Sequence, residues 1–237
     1  MKKKITILFI LVLLLSNLCF GEILGLNFVI DDPSIQLESV EYYLICIEKC
    51  FDLNLIDFAQ LYINEAIEKY PDNIDILLIA GDIFYYQGLA QEEYNYYVEL
   101  LEKYPTEYKV YVKKSYVDND LKKYDEYLDD LLAANKYHPN DAIILGNIGL
   151  AFLDKYDYEN AEKYLMESYK IDNQVTSTIN NLASLNYYKK NYNEALNWID
   201  KSLEINSNNP YTYRILGYIY KALGQIDKAN EAFSKVK

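Results

Sequence analysis

Histidine is almost absent from this chain, with His138 the only one in 237 residues. A zinc centre needs several imidazole or thiolate ligands at defined spacing, and no second His or Cys stands at such a distance from His138, so no metal site is expected. His138 precedes Pro139 at a predicted helix end, where an imidazole interacts favourably with the last carbonyls. Cysteine is equally scarce, with three residues. Cys46 and Cys50 lie four apart on one predicted helix and project in parallel, so a disulfide between them would be strained. The spacing is not the C-x-x-C of a redox pair, and both fall on an apolar stripe, where they read as small buried hydrophobes. With 8 glycines and 5 prolines, the chain shows no phosphate loop, no dinucleotide fingerprint and no nucleophile elbow. Asp118-Asn119-Asp120 begins like a calcium loop, but no glycine or later glutamate follows in register, so it reads as a solvated turn. Acidic pairs such as Asp129-Asp130 read as surface. No catalytic residues, no cofactor and no small-molecule substrate are expected.

Positive charge is in short supply as well. The chain has 23 Lys and Arg against 36 Asp and Glu, a net charge of −13. Such a balance repels phosphate backbones and anionic lipid, which excludes nucleic acid as a natural partner. It favours solubility and steers basic partners toward the surface.

Long hydrophobic runs are lacking too. The longest apolar stretch, Ile5 to Leu15, is interrupted only by Thr6. It falls short of the roughly 20 residues that span a bilayer. Preceded by Lys2-Lys3-Lys4 and followed by the small residues Cys19 and Gly21, it reads as a secretory signal peptide over residues 1–21. Cleavage after Gly21 removes three lysines and leaves 20 basic against 36 acidic residues, a net charge of −16. A periplasmic or extracellular location follows. Two alternatives stay open. One is a retained anchor; the other is lipidation at Cys19, which would tether the chain to a membrane but is opposed by the bulky Leu18 before it.

What the chain does have is a period of 34 residues. Ala161, Ala195 and Ala229 keep it, as do Gly149, Ala183 and Gly217, and Ile148, Leu182 and Leu216. Traced from Val40, it gives the blocks 40–73, 74–107, 108–141, 142–175, 176–209 and 210–237 without insertion, behind an N-terminal segment 22–39 that either caps the first block or links it. In that segment Asp32 reads as a helix cap. A fixed period of this length marks helix pairs too thin to bury their own apolar faces, which are stabilised by stacking on their neighbours. Small residues at 81, 149, 183 and 217 let paired helices approach closely. Gly88 and Gly224 fall where the chain turns and tolerate positive φ. Pro71, Pro105 and Pro139 stop the second helices. Block three is the weakest, because Lys114 and Asp118 occupy positions that are apolar elsewhere.

The last block, with Tyr213, Leu216, Gly217, Tyr220, Gly224, Ala229 and Phe233, resembles the tetratricopeptide repeat. The fourth matches through Leu145, Ile148, Gly149, Phe152, Ala161 and Leu165. The fifth matches through Ile179, Leu182, Ala183, Ala195 and Ile199, with Asn186 where an aromatic is expected. The resemblance implies an all-α fold, a right-handed α-solenoid of stacked antiparallel helix pairs. It also implies a scaffold that binds a segment of another protein in a concave groove. By spacing, that groove is lined by Asp82, Tyr85 and Tyr86, then Val112, Tyr116 and Asn119, then Leu150 and Leu153. Asn180, Ser184, Tyr187 and Tyr188 continue it, followed by Tyr211, Arg214, Tyr218 and Lys221. Rigid amphipathic tyrosines, of which the chain has 27 in all, suit peptide recognition. A membrane-anchored lipoprotein that helps assemble envelope machinery is the alternative role. At the far end, Gln225, Lys228, Asn230, Ser234 and Lys235 are expected to give the last repeat a polar outer face.

Overall fold

The computed structural model of the chain describes residues 38–236. The segments 1–21 and 22–37, with Cys19 and Asp32, lie outside the described residues, so export, lipidation and capping are read from sequence alone. Among the described residues the chain is all-α, with twelve helices and no strand. They are α1 Val40–Asp52, α2 Ile56–Lys69, α3 Ile74–Gln87, α4 Ala90–Lys103, α5 Tyr108–Asp120 and α6 Tyr124–Tyr137. After these come α7 Ala142–Asp154, α8 Tyr158–Ile171, α9 Thr176–Tyr188, α10 Tyr192–Ile205, α11 Pro210–Ala222 and α12 Ile226–Ser234.

The period is written into the backbone. Asn54, Gly88, Lys122, Tyr156, Lys190 and Gly224, each 34 residues from the next, all hold positive φ between 55° and 74° in the turn that joins the helices of a pair. Glycine adopts this left-handed conformation freely and asparagine tolerates it, whereas Lys122, Tyr156 and Lys190 are residues for which it is strained. Helix starts repeat in the same way. Ser39, Asn73, Glu107, Asp141 and Asn209 each accept a backbone N–H of the following first helix on a side-chain oxygen. Val175, in the same position before α9, has no side chain that can do so. Lys69, Lys103 and Tyr137 end α2, α4 and α6 two residues before Pro71, Pro105 and Pro139.

The chain divides into two compact units, the first ending at Ile83 and the second running from Phe84. In the first, α1 packs on α2 around Tyr43, Ile47, Ala59, Ile63 and Ala66, all buried. The Tyr43 hydroxyl donates to Glu65 Oε1 at 2.7 Å, and Lys69 bonds Glu38 at 2.6 Å. Cys46 and Cys50 are buried free thiols. Loss of hydration pushes both thiols up, Cys50 to about 11, so they are small hydrophobes and not thiolate nucleophiles.

In the second unit α6, α8, α10 and α12 each pack against their own first helix, α4, α6, α8 and α10 pack against the first helix of the following pair, and α7, α9 and α11 also touch in succession. The core of the later repeats gathers Leu153, Leu165, Ile179, Leu182, Leu185, Trp198, Ile199 and Ile219. Gly149 marks a close approach, since a Cβ there would sit 2.6 Å from Leu165 Cγ and 3.1 Å from the Leu165 backbone nitrogen. Two junctions use hydroxyls in place of apolar contacts. Ser168 and Thr178 lie 2.8 Å apart, and Ser202 and Thr212 2.9 Å apart, all four buried. Gln225, Lys228, Asn230, Ser234 and Lys235 are all exposed on the last hairpin.

Two readings of single residues are corrected here, and a third gains neighbours. Asp118 is not part of a solvated turn, because α5 continues to Asp120 and Asp118 is fully buried. Asp130 is not a surface acid, since its side chain and that of Asp118 both bind the Lys114 ammonium. His138 stacks on the Tyr108 ring, 4.1 Å between centroids and 13° from parallel, with Asp141 3.8 Å away. It is the C-cap of α6, at the helix end where the sequence places it.

Candidate protein-binding face

The tyrosines expected along the first helices divide by environment. Asp82 belongs to the first unit, and the remaining candidates belong to the second. Tyr85 and Tyr86 are exposed on the last turn of α3, with ring centroids 5.4 Å apart and nearly perpendicular. Tyr116 is exposed on α5, and its hydroxyl accepts from Asn147 Nδ2 at 3.3 Å. Asn119 is exposed at the end of the same helix, while Val112, Leu150 and Ser184 are half-buried.

Two candidates are not on an open face. Leu153 is buried in the core. Asn180, 1% exposed, accepts the Thr212 hydroxyl at 3.0 Å and so joins the buried Ser202–Thr212 pair. The 34-residue spacing places Asn180 on the first-helix face but says nothing of what the next repeat lays over it. Tyr218, although exposed in part, packs edge-on against Phe233 at 5.3 Å.

The rest converge. Tyr187 and Tyr188 close α9, with centroids 5.4 Å apart. Tyr188 lies nearly parallel to Tyr158, 6.4 Å away and 9° from coplanar orientation. Tyr156 stands edge-on to Tyr158 at 6.4 Å, and Tyr192 is tilted against Tyr187 at 6.0 Å. Burial first, then the charge of Asp154 and the neighbouring Tyr187, Tyr211 and Tyr156 phenols, push the Tyr188 hydroxyl up. On α11 the Arg214 guanidinium covers the Tyr211 ring at 4.8 Å, and Lys221 is exposed near that helix's end. Tyr156, Tyr158 and Tyr192 belong to turns and second-helix starts, which is why attention to first-helix positions misses them. Tyr156 is 73% exposed and holds positive φ, a bulky side chain kept in a strained conformation beside Tyr158.

Beside this patch is a cleft of about 630 Å³ lined by Asn119, Tyr124, Asp125, Tyr127, Ala151, Asp154 and Lys155. Lys155 bonds Asp125 across its rim. The arrangement offers aromatic faces, hydroxyls and carboxylates. Among the described residues no group of His, Cys, Asp and Glu is placed to hold a metal ion, and no helix is long and apolar enough to cross a membrane.

Comparison with known proteins agrees with this geometry. Family models described as tetratricopeptide repeat match residues 142–175 and 212–237 and residues 175–207. The fold is a tetratricopeptide-repeat solenoid. A structure from a functional study of Pseudomonas aeruginosa pilF superposes with a TM-score of 0.67, at 18% identity over 81% of this chain and 87% of that one. The tetratricopeptide-repeat protein YrrB, described as having an unusual peptide-binding site, superposes with a TM-score of 0.55, at 16% identity over 73% of this chain and 90% of that one. Among curated proteins, the human cell division cycle protein 16 homolog is 27% identical over 104 residues, which is 40% of this chain and 17% of that protein. The chain therefore matches only a small part of that relative. Tetratricopeptide repeats generally mediate contacts between proteins.

Proposed function

We propose that this chain is a non-catalytic scaffold that binds an extended segment of another protein on the tyrosine-lined face of residues 84–236. The observation that carries it is the convergence of Tyr156, Tyr158, Tyr187, Tyr188 and Tyr211 from successive repeats onto one accessible patch. Tyrosine rings present large area at little entropic cost and keep a polar end for hydrogen bonds, as recognition surfaces require. YrrB, whose description mentions a peptide-binding site, supports the reading by analogy of fold. Capture of partners from an extract of the source cells by the wild-type chain and by a Tyr188→Ala/Tyr211→Ala variant tests it. Both side chains are exposed, Tyr188 at 50% and Tyr211 at 38%, so the variant is expected to keep its helical content, which circular dichroism checks. Loss of the captured proteins is expected, and equal capture would remove this face from consideration.

We also propose that residues 1–21 direct export and are removed. Intact mass of the protein purified from its native host reads this directly. A chain beginning at residue 22 is expected, whereas a lipid-modified Cys19 would replace free export with a membrane tether.

A further inference from the structure

Asp154 closes α7 and has no hydrogen bond or ion pair among the described residues. The adjacent Lys155 is committed to Asp125. Asp154 is exposed at the cleft mouth, and the groups packed around it still remove enough water to push its carboxyl up. A carboxylate in this position has lost part of its hydration without gaining a counter-charge, so a cation arriving there meets an unpaired negative group. Asp154 lines the 630 Å³ cleft together with Tyr124 and Tyr127, and its charge also acts on the Tyr188 hydroxyl.

We propose that this cleft takes the cationic side chain, arginine or lysine, of the partner segment, with Asp154 as counter-ion and tyrosine rings as its walls. This rests on the scaffold reading above and gives the chemistry of the partner. Three observations favour a cation over an apolar or acidic group. The cleft carries one uncompensated negative charge, because the Lys155–Asp125 pair cancels. Aromatic faces attract cations through the ring quadrupole, and the chain uses that contact elsewhere, with Arg214 over Tyr211 at 4.8 Å and Lys123 over Tyr94 at 3.3 Å. The net charge of −13 draws basic segments toward the surface before they dock. A cleft of this size admits a long side chain with part of its backbone. Among the described residues no group of three His, Cys, Asp or Glu side chains is placed there to hold a metal ion.

The test uses the chain from residue 22, isotopically labelled, titrated with acetyl-Gly-Ser-Arg-Ser-Gly-amide and with the same peptide carrying citrulline, which keeps the shape of arginine but not its charge. The arginine peptide is expected to shift amide resonances of residues 119–127 and 151–155 and to bind at least about threefold more tightly than its citrulline twin. Asp154→Asn, nearly identical in shape, is expected to erase that difference, and Tyr124→Ala to reduce it. Equal binding of the two peptides, an arginine preference that survives Asp154→Asn, or no shifts with either peptide would overturn the proposal. Such a result leaves the capture experiment with Tyr188→Ala/Tyr211→Ala untouched, so failure of the cleft and failure of the scaffold reading are distinguishable.

Discussion

Asp118 on α5 and Asp130 on α6 hold the two positions that Phe152 and Tyr164 occupy one repeat later. Where those rings stack at 5.5 Å, the two carboxylates are joined by Lys114 Nζ at 3.0 and 2.7 Å. Phe84 and Tyr96, one repeat earlier, again pack ring to ring at 5.8 Å. The third repeat therefore replaces an aromatic contact inside its hairpin with a buried triad of one ammonium and two carboxyl groups. Asp118 Oδ1 is left without a hydrogen-bond partner.

Removing the ammonium should be far worse than removing the whole triad. Lys114→Met strands two buried carboxylates and is expected to cost about 3–5 kcal/mol. The triple change Lys114→Ile/Asp118→Phe/Asp130→Tyr, which copies the fourth repeat, is expected to be neutral or stabilising. Urea unfolding followed by circular dichroism compares them, and a triple variant weaker than Lys114→Met would contradict this account.

The triad also sets a pH dependence. Burial, then the hydrogen bond with Asp118, pushes the Asp130 carboxyl up to about 7, against the opposing pull of Lys114. The folded state thus holds a proton that the unfolded chain releases near the ordinary carboxylate value. That contribution is fully present below about pH 4 and is lost as pH rises through about 7. The slope is at most about 1.4 kcal/mol per pH unit for one proton. Measured between pH 4.5 and 8, stability of Asp130→Asn should fall less steeply with rising pH than that of the wild type. Parallel curves would show that Asp130 titrates normally.

Val175 is the one first-helix cap whose side chain cannot accept a hydrogen bond. Val175→Asp restores the arrangement of Asp141, which accepts from Ile143 and Ile144 at 2.8 and 3.0 Å. A gain of about 1 kcal/mol is expected, read as a rise in thermal midpoint.

The repeated left-handed turn predicts opposite signs for opposite exchanges. Gly224→Ala places a Cβ on a residue at φ +74° and should cost about 1 kcal/mol. Lys190→Gly, at φ +61° and exposed, should gain a few tenths of a kcal/mol to about 1, the relief of strain being partly offset by a more flexible unfolded chain. A destabilised Lys190→Gly would show that the lysine side chain itself matters there.

The Ser168–Thr178 pair should behave as a unit. Thr178→Val leaves Ser168 with only the Ala142 carbonyl, 2.6 Å away. Ser168→Ala leaves the buried Thr178 hydroxyl without its 2.8 Å partner. Each single change is expected to cost about 1–2 kcal/mol. The double change, which imitates the apolar Ala134 and Ile144 of the preceding junction, should cost less than the two together. A double-mutant cycle measures the difference.

Most of the fold was legible because it is local and repeated. Ala161, Ala195 and Ala229, all buried, mark the same place in three hairpins. Gly88 and Gly224 do hold the positive φ that their turn position implies, and the prolines do follow the second helices. The candidate face was legible only in outline. Tyr85, Tyr86, Tyr116 and Tyr188 are exposed, but Asn180 and Leu153 are not, and Tyr156, Tyr158 and Tyr192 went unmarked.

By itself the sequence determined the period, the helices and their turns, since these depend on residue type at fixed spacing along one chain. Only the tertiary structure decided which side chains of successive repeats meet. Exposure of Asn180 depends on Thr212, 32 residues on, and the two misplaced acids of the third repeat make sense only once Lys114 lies between them. Burial and charge compensation are properties of neighbours in space, and a linear pattern does not contain them.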